Sequence, residues 1–176
     1  MAKEIIRNSF VITALVFLAA SSAITSRAQA AGNKVPFESE LRAIYPKLDK
    51  ALKTKNLVGV TGYYDKSYTL DSDGKRLDRA QAIDQWKSLL GFLKQIAKLT
   101  TKIEKVSQSE DKYIIDYSQT SSGQVQFPGS PVLPFTYTGK ITDTWTRSAK
   151  GVWKTISSVE HVSDFKVNGE TSRPPN

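Results

Sequence analysis

The stretch DTWTRSAKGVWKTISSVEH, residues 143–161, decides how the second half of this sequence folds. Aromatic and β-branched side chains recur on both sides of residues 149–151, which is typical of two strands joined by a short loop. A three-residue loop with Gly151 in the left-handed conformation closes an antiparallel hairpin. Pairing outward from this loop places Trp145 opposite Thr155. We therefore predict a long antiparallel hairpin.

This pairing sorts the side chains of the hairpin onto two faces. Asp143 is predicted to face Ser157, and His161 then lies about 13 Å further along the strand, too far for a direct contact with Asp143. On the solvent face, Lys140 is predicted to lie opposite Glu160 as a charge pair. The predicted inward face is mainly apolar and comprises Tyr137, Ile141, Asp143, Trp145, Val159 and His161.

Helical spacing precedes the hairpin in the sequence. Apolar residues at helical intervals from Leu41 predict a helix that begins near Glu38. Pro46 lies inside that pattern and should bend or restart the helix, because proline lacks a backbone donor. Asn56 is typical of a helix cap and predicts a second, short helix over residues 57–64. The first part of the chain is therefore predicted to be mainly helical.

A third helix is predicted after a short strand and a turn. Tyr68 and Leu70 indicate the strand, and residues 71–74 form the turn. Asp78 followed by Gln81 three residues later is a capping-box arrangement, and an apolar stripe continues beyond it. The chain alternates from Leu99 onward, and strands are predicted over residues 101–106, 113–118, 135–147 and 152–163. Glycine and proline residues within 119–134 predict a loop there, or an edge strand with interrupted pairing. Helices followed by antiparallel strands indicate an α+β domain.

The first thirty residues have the composition of a secretory signal peptide. A basic start and an apolar run precede Ala28-Gln29-Ala30, a small-x-small site after which signal peptidase cuts. The alternative is a retained membrane anchor, because residues 8–26 carry no charge. With cleavage, we expect a secreted or periplasmic protein without a stable membrane anchor. The predicted organisation is a signal peptide over 1–30, a linker over 31–36, one domain over 37–165 and a flexible tail over 166–176.

Composition narrows the classes of function. The net charge is +8, but lysines and arginines are spread singly along the chain, which favours a solvated surface over a nucleic-acid interface. The absence of cysteine excludes disulfides, and one histidine leaves little for zinc or copper. No glycine-rich phosphate loop is present. We therefore predict no metal, no cofactor and no nucleic-acid partner.

Three motifs in order resemble the nuclear-transport-factor-2-like superfamily, and within it the SnoaL-like domains of unknown function. They are LRAIYPKLDKALKTKN, YYDKSYTLDSDGKRLDRAQAIDQW and the hairpin sequence quoted above. The resemblance covers about residues 37–162. It implies a cone of about three helices against a curved antiparallel sheet, open at one end and commonly a homodimer. It also implies functional breadth, because isomerases, cyclases, dehydratases and non-catalytic binding modules share this cone.

Two functions stay open from the sequence. The favoured one is an exported binding domain for a small, mostly apolar molecule, oriented by Asp143 or His161. Its predicted ligand-contacting residues are Tyr64, Tyr68, Trp86, Tyr117, Tyr137 and Trp145. The alternative is a SnoaL-like lyase or isomerase, because in isomerase-like and cyclase-like relatives a pocket carboxylate is the general base. Asp143 would be that base and His161 a proton shuttle. The structural alternative for Asp143 is a hydrogen bond to Ser157 or the backbone, or a solvated position at the mouth of the cone.

A homodimer is expected through the outer face of the sheet. Small and β-branched side chains there would form a flat surface suited to packing against a second sheet. The residues predicted for this face are Thr142, Thr144, Thr146, Ile156 and Ser158. The alternative is that this face is an ordinary solvated strand surface.

Overall fold

The computed structural model describes residues 35–172. The predicted signal peptide, residues 1–30, lies outside the described residues, as does most of the predicted linker. Among the described residues, no helix is long and apolar enough to cross a membrane.

Four helices lie in the first half of the described chain. They are α1 (Glu38–Arg42), α2 (Tyr45–Lys53), α3 (Leu57–Thr61) and α4 (Arg79–Phe92). Pro46 occupies the second position of α2, where a missing N–H costs nothing, so the predicted restart of the first helix is confirmed. The Asn56 side chain accepts a 3.0 Å hydrogen bond from the Gly59 N–H and caps α3. The predicted second helix is three residues too long, since α3 ends at Thr61.

Helix α4 begins at the predicted capping box. The Asp78 carboxylate accepts from the Gln81 N–H at 2.9 Å, and the Gln81 side chain accepts from the Asp78 N–H at 3.0 Å. Backbone N–H groups in the first turn of a helix have no partner within the helix. The two bonds satisfy two of these donors and fix where α4 begins.

Seven strands form one curved, unclosed sheet. They are β1 (Tyr64–Ser72), β2 (Lys75–Asp78), β3 (Leu93–Ser109), β4 (Lys112–Val125), β5 (Leu133–Arg147), β6 (Trp153–Val167) and β7 (Glu170–Thr171). The spatial order is β2-β1-β6-β5-β4-β3, and β7 pairs with the end of β6. Strands β1 and β6 run parallel, so the sheet is mixed rather than wholly antiparallel as predicted. The predicted α+β architecture of helices on a curved sheet is confirmed.

The loop predicted over residues 119–134 is mostly strand. Strand β4 continues to Val125 and β5 begins at Leu133, which leaves a loop only over 126–132. The prediction was wrong because β4 lies between two partners, and pairing on both sides outweighs its many small polar residues. Gly123 is needed there, since a Cβ at this position would lie 2.0 Å from the Gln95 carbonyl oxygen of β3.

The sheet also continues beyond the predicted domain end. Strand β6 reaches Val167, and residues 168–169 turn with positive φ angles into the two-residue strand β7. Residues 166–167 therefore pair with residues 170–171, where the sequence predicts a flexible tail.

Two bulges change the predicted register of the β5–β6 hairpin. Trp145 faces Thr155 as predicted, but the register then shifts, so that Asp143 faces Ser158. A second shift follows at His161, beyond the pair formed by Ile141 and Glu160. Each bulge places an extra residue on β6 and reverses which side chains point inward. The predicted orientations of Glu160 and His161 are therefore wrong.

The outward face differs from the prediction for the same reason. Lys140 lies opposite Val162, so the predicted charge pair between Lys140 and Glu160 does not form. Ser158, assigned to the outer dimer face, lines the inside of the cone and is buried. The threonines of β5 keep their predicted outward positions.

The buried apolar residues form two clusters. One joins α2, α3 and α4 to the sheet near Phe135 and Phe165. The other surrounds Trp145 and Trp153, and holds Leu41 of α1 against Tyr113 of β4. The two tryptophans of the hairpin therefore belong to the core that closes one end of the cone, as their positions beside the turn predicted.

Candidate functional site

A cavity of about 640 Å³ lies between the helices and the concave face of the sheet. Side chains from α2, α4 and strands β1, β4, β5 and β6 line it. Its wall is mostly apolar, with a small number of polar groups that point inward. This combination is typical of a site for a small organic molecule.

Tyrosines dominate the wall of this cavity. Six of the seven tyrosines of the chain line it: Tyr45, Tyr63, Tyr64, Tyr68, Tyr117 and Tyr137. The rings of Tyr64 and Tyr68 stack with centroids 3.7 Å apart, and the Trp86 indole N–H donates to the Tyr64 hydroxyl at 2.8 Å. The tyrosines therefore supply both flat apolar surface and hydroxyl groups.

Asp143 is the most deeply buried charged group of the cavity. Its side chain lies on β5 between the aromatic rings, and the residue is only 4% exposed. Its carboxylate accepts from the Ser158 hydroxyl at 2.6 Å and from the Tyr45 hydroxyl at 2.8 Å. The Trp145 indole N–H donates in turn to the Tyr45 hydroxyl at 3.2 Å. The carboxylate is thus held by a network that spans α2, β5 and β6.

Burial changes the protonation of this network. Loss of water raises the pKa of Asp143 to about 6, although hydrogen bonds from Ser158 and Tyr45 oppose the rise. Burial also raises the pKa of Tyr64 to about 12 and holds the pKa of Tyr45 well above its ordinary range. The tyrosine hydroxyls therefore stay protonated and act as donors near neutral pH.

Glu160 is a second carboxylate on the cavity wall. The Tyr137 hydroxyl donates to it at 2.6 Å, and the Ser72 hydroxyl donates to its other oxygen. Gly139 lies beneath the Tyr137 ring, and a Cβ at this position would lie 2.1 Å from the Tyr137 hydroxyl oxygen. The missing side chain of Gly139 is therefore what lets Tyr137 reach Glu160.

His161 lies outside the cavity. It is exposed, and its Nε2 is 2.8 Å from the Thr142 hydroxyl, which donates to Asp116 at 2.7 Å. The first bulge of β6 reverses the alternation of side chains, so His161 points away from the cavity and its predicted inward position is wrong. Within residues 35–172, no group of three or more histidine or acidic side chains is arranged to hold a metal ion.

The six aromatic residues predicted to contact a ligand all line the cavity. Three residues of the polar network were missed: Tyr45, Ser158 and Glu160. Tyr45 fell on the apolar stripe of the first helix, where its hydroxyl gave no separate signal. Ser158 and Glu160 point inward only because of the first bulge in β6. No residue near that bulge has a sequence signal that predicts it.

The arrangement offers two kinds of chemistry. The aromatic wall can hold an apolar molecule, while the two carboxylates and their hydroxyl partners can accept or donate hydrogen bonds at fixed positions. Asp143, with a pKa near 6, can also take a proton from a bound molecule and return it near neutral pH.

No family model matches this sequence, and no curated protein matches it. Solved structures do. A type 2 hexachlorocyclohexane dehydrochlorinase is 12% identical, with a TM-score of 0.58, over 77% of this chain and 93% of its own. A ketosteroid isomerase-like protein from Erwinia carotovora atroseptica is 16% identical, with a TM-score of 0.54, over 72% of this chain and 98% of its own.

A third structure is described as a nuclear-transport-factor-2-like protein of unknown function in nutrient uptake, from Rhodospirillum rubrum. It is 18% identical, with a TM-score of 0.56, over 69% of this chain and 97% of its own. At identities this low, structural similarity supports a shared fold but does not indicate a shared activity. The curved sheet, the helices laid across it and these three similarities agree with the sequence resemblance: this chain has the nuclear-transport-factor-2-like fold.

Proposed function

We propose that this chain binds a small, mostly apolar molecule in the cavity of the cone. One observation supports the proposal: a cavity of about 640 Å³ with an aromatic wall holds a buried carboxylate, Asp143, that hydroxyl groups orient. The volume lies within the range of about 300–1,000 Å³ that is usual for small-molecule sites.

The burial of Asp143 supports the same proposal. Placing a carboxylate among apolar rings costs free energy, and its hydrogen bonds to Ser158 and Tyr45 recover only part of that cost. An asparagine or a leucine of similar size would fill the position at lower cost. A carboxylate at this position is better explained by contact with a bound molecule than by stability of the fold.

Binding to a panel of small apolar molecules tests the proposal. We expect saturable binding that Leu70→Trp abolishes, because Leu70 lines the cavity and a larger ring there fills it. Val58→Trp is the matched control, since Val58 is 77% exposed and lies outside the cavity. Binding by wild type that Leu70→Trp leaves unchanged, in a variant that melts as a folded protein, would show that the cavity is not the site.

The second candidate is a lyase or isomerase with Asp143 as general base, favoured by the raised pKa of this group. The carboxylate would take a proton from a carbon of the substrate. In an isomerase it would return that proton to another carbon, and in a lyase a leaving group would depart instead. Incubation of a bound ligand in D₂O tests this role: enzyme action predicts exchange at one carbon that Asp143→Asn stops while binding persists. If no bound ligand takes up deuterium, the enzyme role is excluded and the binding role stands.

We also propose that binding takes place outside the cytoplasm, as the signal-peptide composition of residues 1–30 supports. Sequencing the N-terminus of the exported chain should give Ala31. A mature chain that begins at Met1 would contradict this compartment.

A further inference from the structure

The charge of the cavity has the opposite sign to the charge of the chain. The sequence carries a net charge of +8. The cavity wall includes one lysine, Lys75, and five carboxylate side chains: Asp49, Asp73, Asp84, Asp143 and Glu160. A concave site lined by one sign of charge on low-dielectric walls concentrates ligands of the other sign.

The inner carboxylates are stabilised by hydroxyl groups rather than by cations. Asp143 and Glu160 each accept from one tyrosine and one serine hydroxyl, and Asp49 accepts from the Thr101 hydroxyl at 2.7 Å. None of the salt bridges formed among residues 35–172 includes any of these three carboxylates. A hydroxyl donor stabilises a carboxylate without neutralising it, so these three carboxylates keep their charge when they are ionised.

Asp143 and Glu160 lie on neighbouring strands of the cavity wall. Asp143 faces Ser158, and Ile141 faces Glu160, so the two carboxylates stand on cross-strand pairs two residues apart along β6. This spacing is about 7 Å along the strands. Both carboxylates line the same cavity, so the charge of each attracts a cationic group bound there.

The aromatic wall favours the same sign of charge. The face of a tyrosine ring is electron-rich and attracts an ammonium group that lies within about 6 Å of its centroid. Tyr64, Tyr68 and Tyr117 all border the part of the cavity that also holds Asp143. Rings of this kind around a buried carboxylate suit an organic cation, whereas they disfavour a carboxylate or phosphate ligand.

We propose that the molecule bound in this cavity is an organic ammonium ion, with one positive charge on an otherwise apolar body. The proposal rests on the proposed function and names the chemical class of its ligand. The apolar body packs against the aromatic wall, and the carboxylates of Asp143 and Glu160 attract the ammonium group.

Two molecules of equal shape separate charge from size. Benzyltrimethylammonium and neopentylbenzene differ in a single atom, a nitrogen cation in place of a carbon. We expect the cation to bind at least about tenfold more tightly, and phenylacetate to bind more weakly than either. Glu160→Gln and Asp143→Asn should each reduce this preference about tenfold, whereas Glu104→Gln, on the exposed face of β3, should leave it unchanged.

The outcomes distinguish the cationic ligand from the proposed binding function on which it rests. Equal or tighter binding of neopentylbenzene, still abolished by Leu70→Trp, would overturn the cationic ligand and leave the binding cavity in place. Binding of neither molecule, or binding that Leu70→Trp does not affect, would overturn both. A preference for the cation that survives in folded Glu160→Gln and Asp143→Asn would overturn the assignment of its charge to these carboxylates.

Discussion

Ser158 donates a 2.6 Å hydrogen bond to Asp143 because a bulge shifts the β5–β6 pairing by one residue. Without that shift, Asp143 would face Ser157 instead of Ser158. The same shift brings Glu160 onto the inner face. One irregularity in the hairpin therefore supplies the Ser158 partner of the buried Asp143 and brings the half-buried Glu160 to the cavity wall.

The unfolding free energy should depend on the charge of Asp143. Its pKa is raised from 3.8 to about 6, so its contribution to stability is fully present below pH 3.8 and is lost as the pH rises through about 6. The size of this loss is about 3 kcal/mol. Asp143→Asn keeps the shape of the side chain and removes its titratable carboxyl group.

Denaturant unfolding of both proteins between pH 4 and pH 8 measures this effect. We expect wild type to lose stability relative to Asp143→Asn as the pH rises over this range. If the unfolding free energies of the two proteins change in parallel with pH, the Asp143 pKa is close to that of an exposed carboxyl group.

Tyr45→Phe should destabilise the protein by about 1–3 kcal/mol, because it removes a buried hydroxyl that serves both Asp143 and the Trp145 indole. Tyr113→Phe is the matched control. Tyr113 is also buried, but it belongs to the core around Trp153 and does not line the cavity. Equal losses in the two variants would contradict a specific role for the Tyr45 hydroxyl.

Gly139→Ala should displace the Tyr137 ring and break its hydrogen bond to Glu160, since the new Cβ would lie 2.1 Å from the Tyr137 hydroxyl oxygen. We expect a loss of about 1–2 kcal/mol in unfolding free energy and weaker ligand binding. Gly91→Ala in α4 should instead stabilise by about 0.5–1 kcal/mol, because no atom lies within 4 Å of its new Cβ. Unchanged binding by Gly139→Ala would mean that Tyr137 does not position Glu160.

A homodimer through the outer face of the sheet stays a prediction. Thr142, Thr144 and Thr146 present short side chains along β5, which suits sheet-on-sheet packing. Light scattering at micromolar concentration should report a dimer, and Thr144→Arg should give a monomer while Gln108→Arg, near the end of edge strand β3, should not. A wild-type monomer would contradict the prediction.

The sequence predicts the elements of this fold better than their registers. The capping box at Asp78, the helix restart at Pro46 and the paired strands beside Gly151 depend on local chemistry, so short stretches reveal them. The two bulges of β6 depend on how the sheet curves around the helices. Curvature is a property of the assembled sheet, and no local residue pattern encodes it.

The residues of the site divide in the same way, into those that local sequence predicts and those that depend on strand register. Aromatic residues such as Tyr64 and Trp86 could be assigned to a cavity from the fold resemblance. The inward position of Asp143 also followed from alternation, since it shares a face with Trp145. Glu160 and His161 exchanged faces through one extra residue, which is the usual consequence of a one-residue slip in a strand.

The tyrosines themselves provide the most direct test of the binding cavity. Six of them line it and the seventh, Tyr113, does not, so NMR spectra of protein with ¹³C-labelled tyrosine rings carry an internal control. On titration with the tightest binder of the panel, we predict saturable shifts of the cavity tyrosines while the Tyr113 signals stay in place. Shifts confined to Tyr113, or no shift of the six cavity tyrosines at saturation, would contradict binding in the cone.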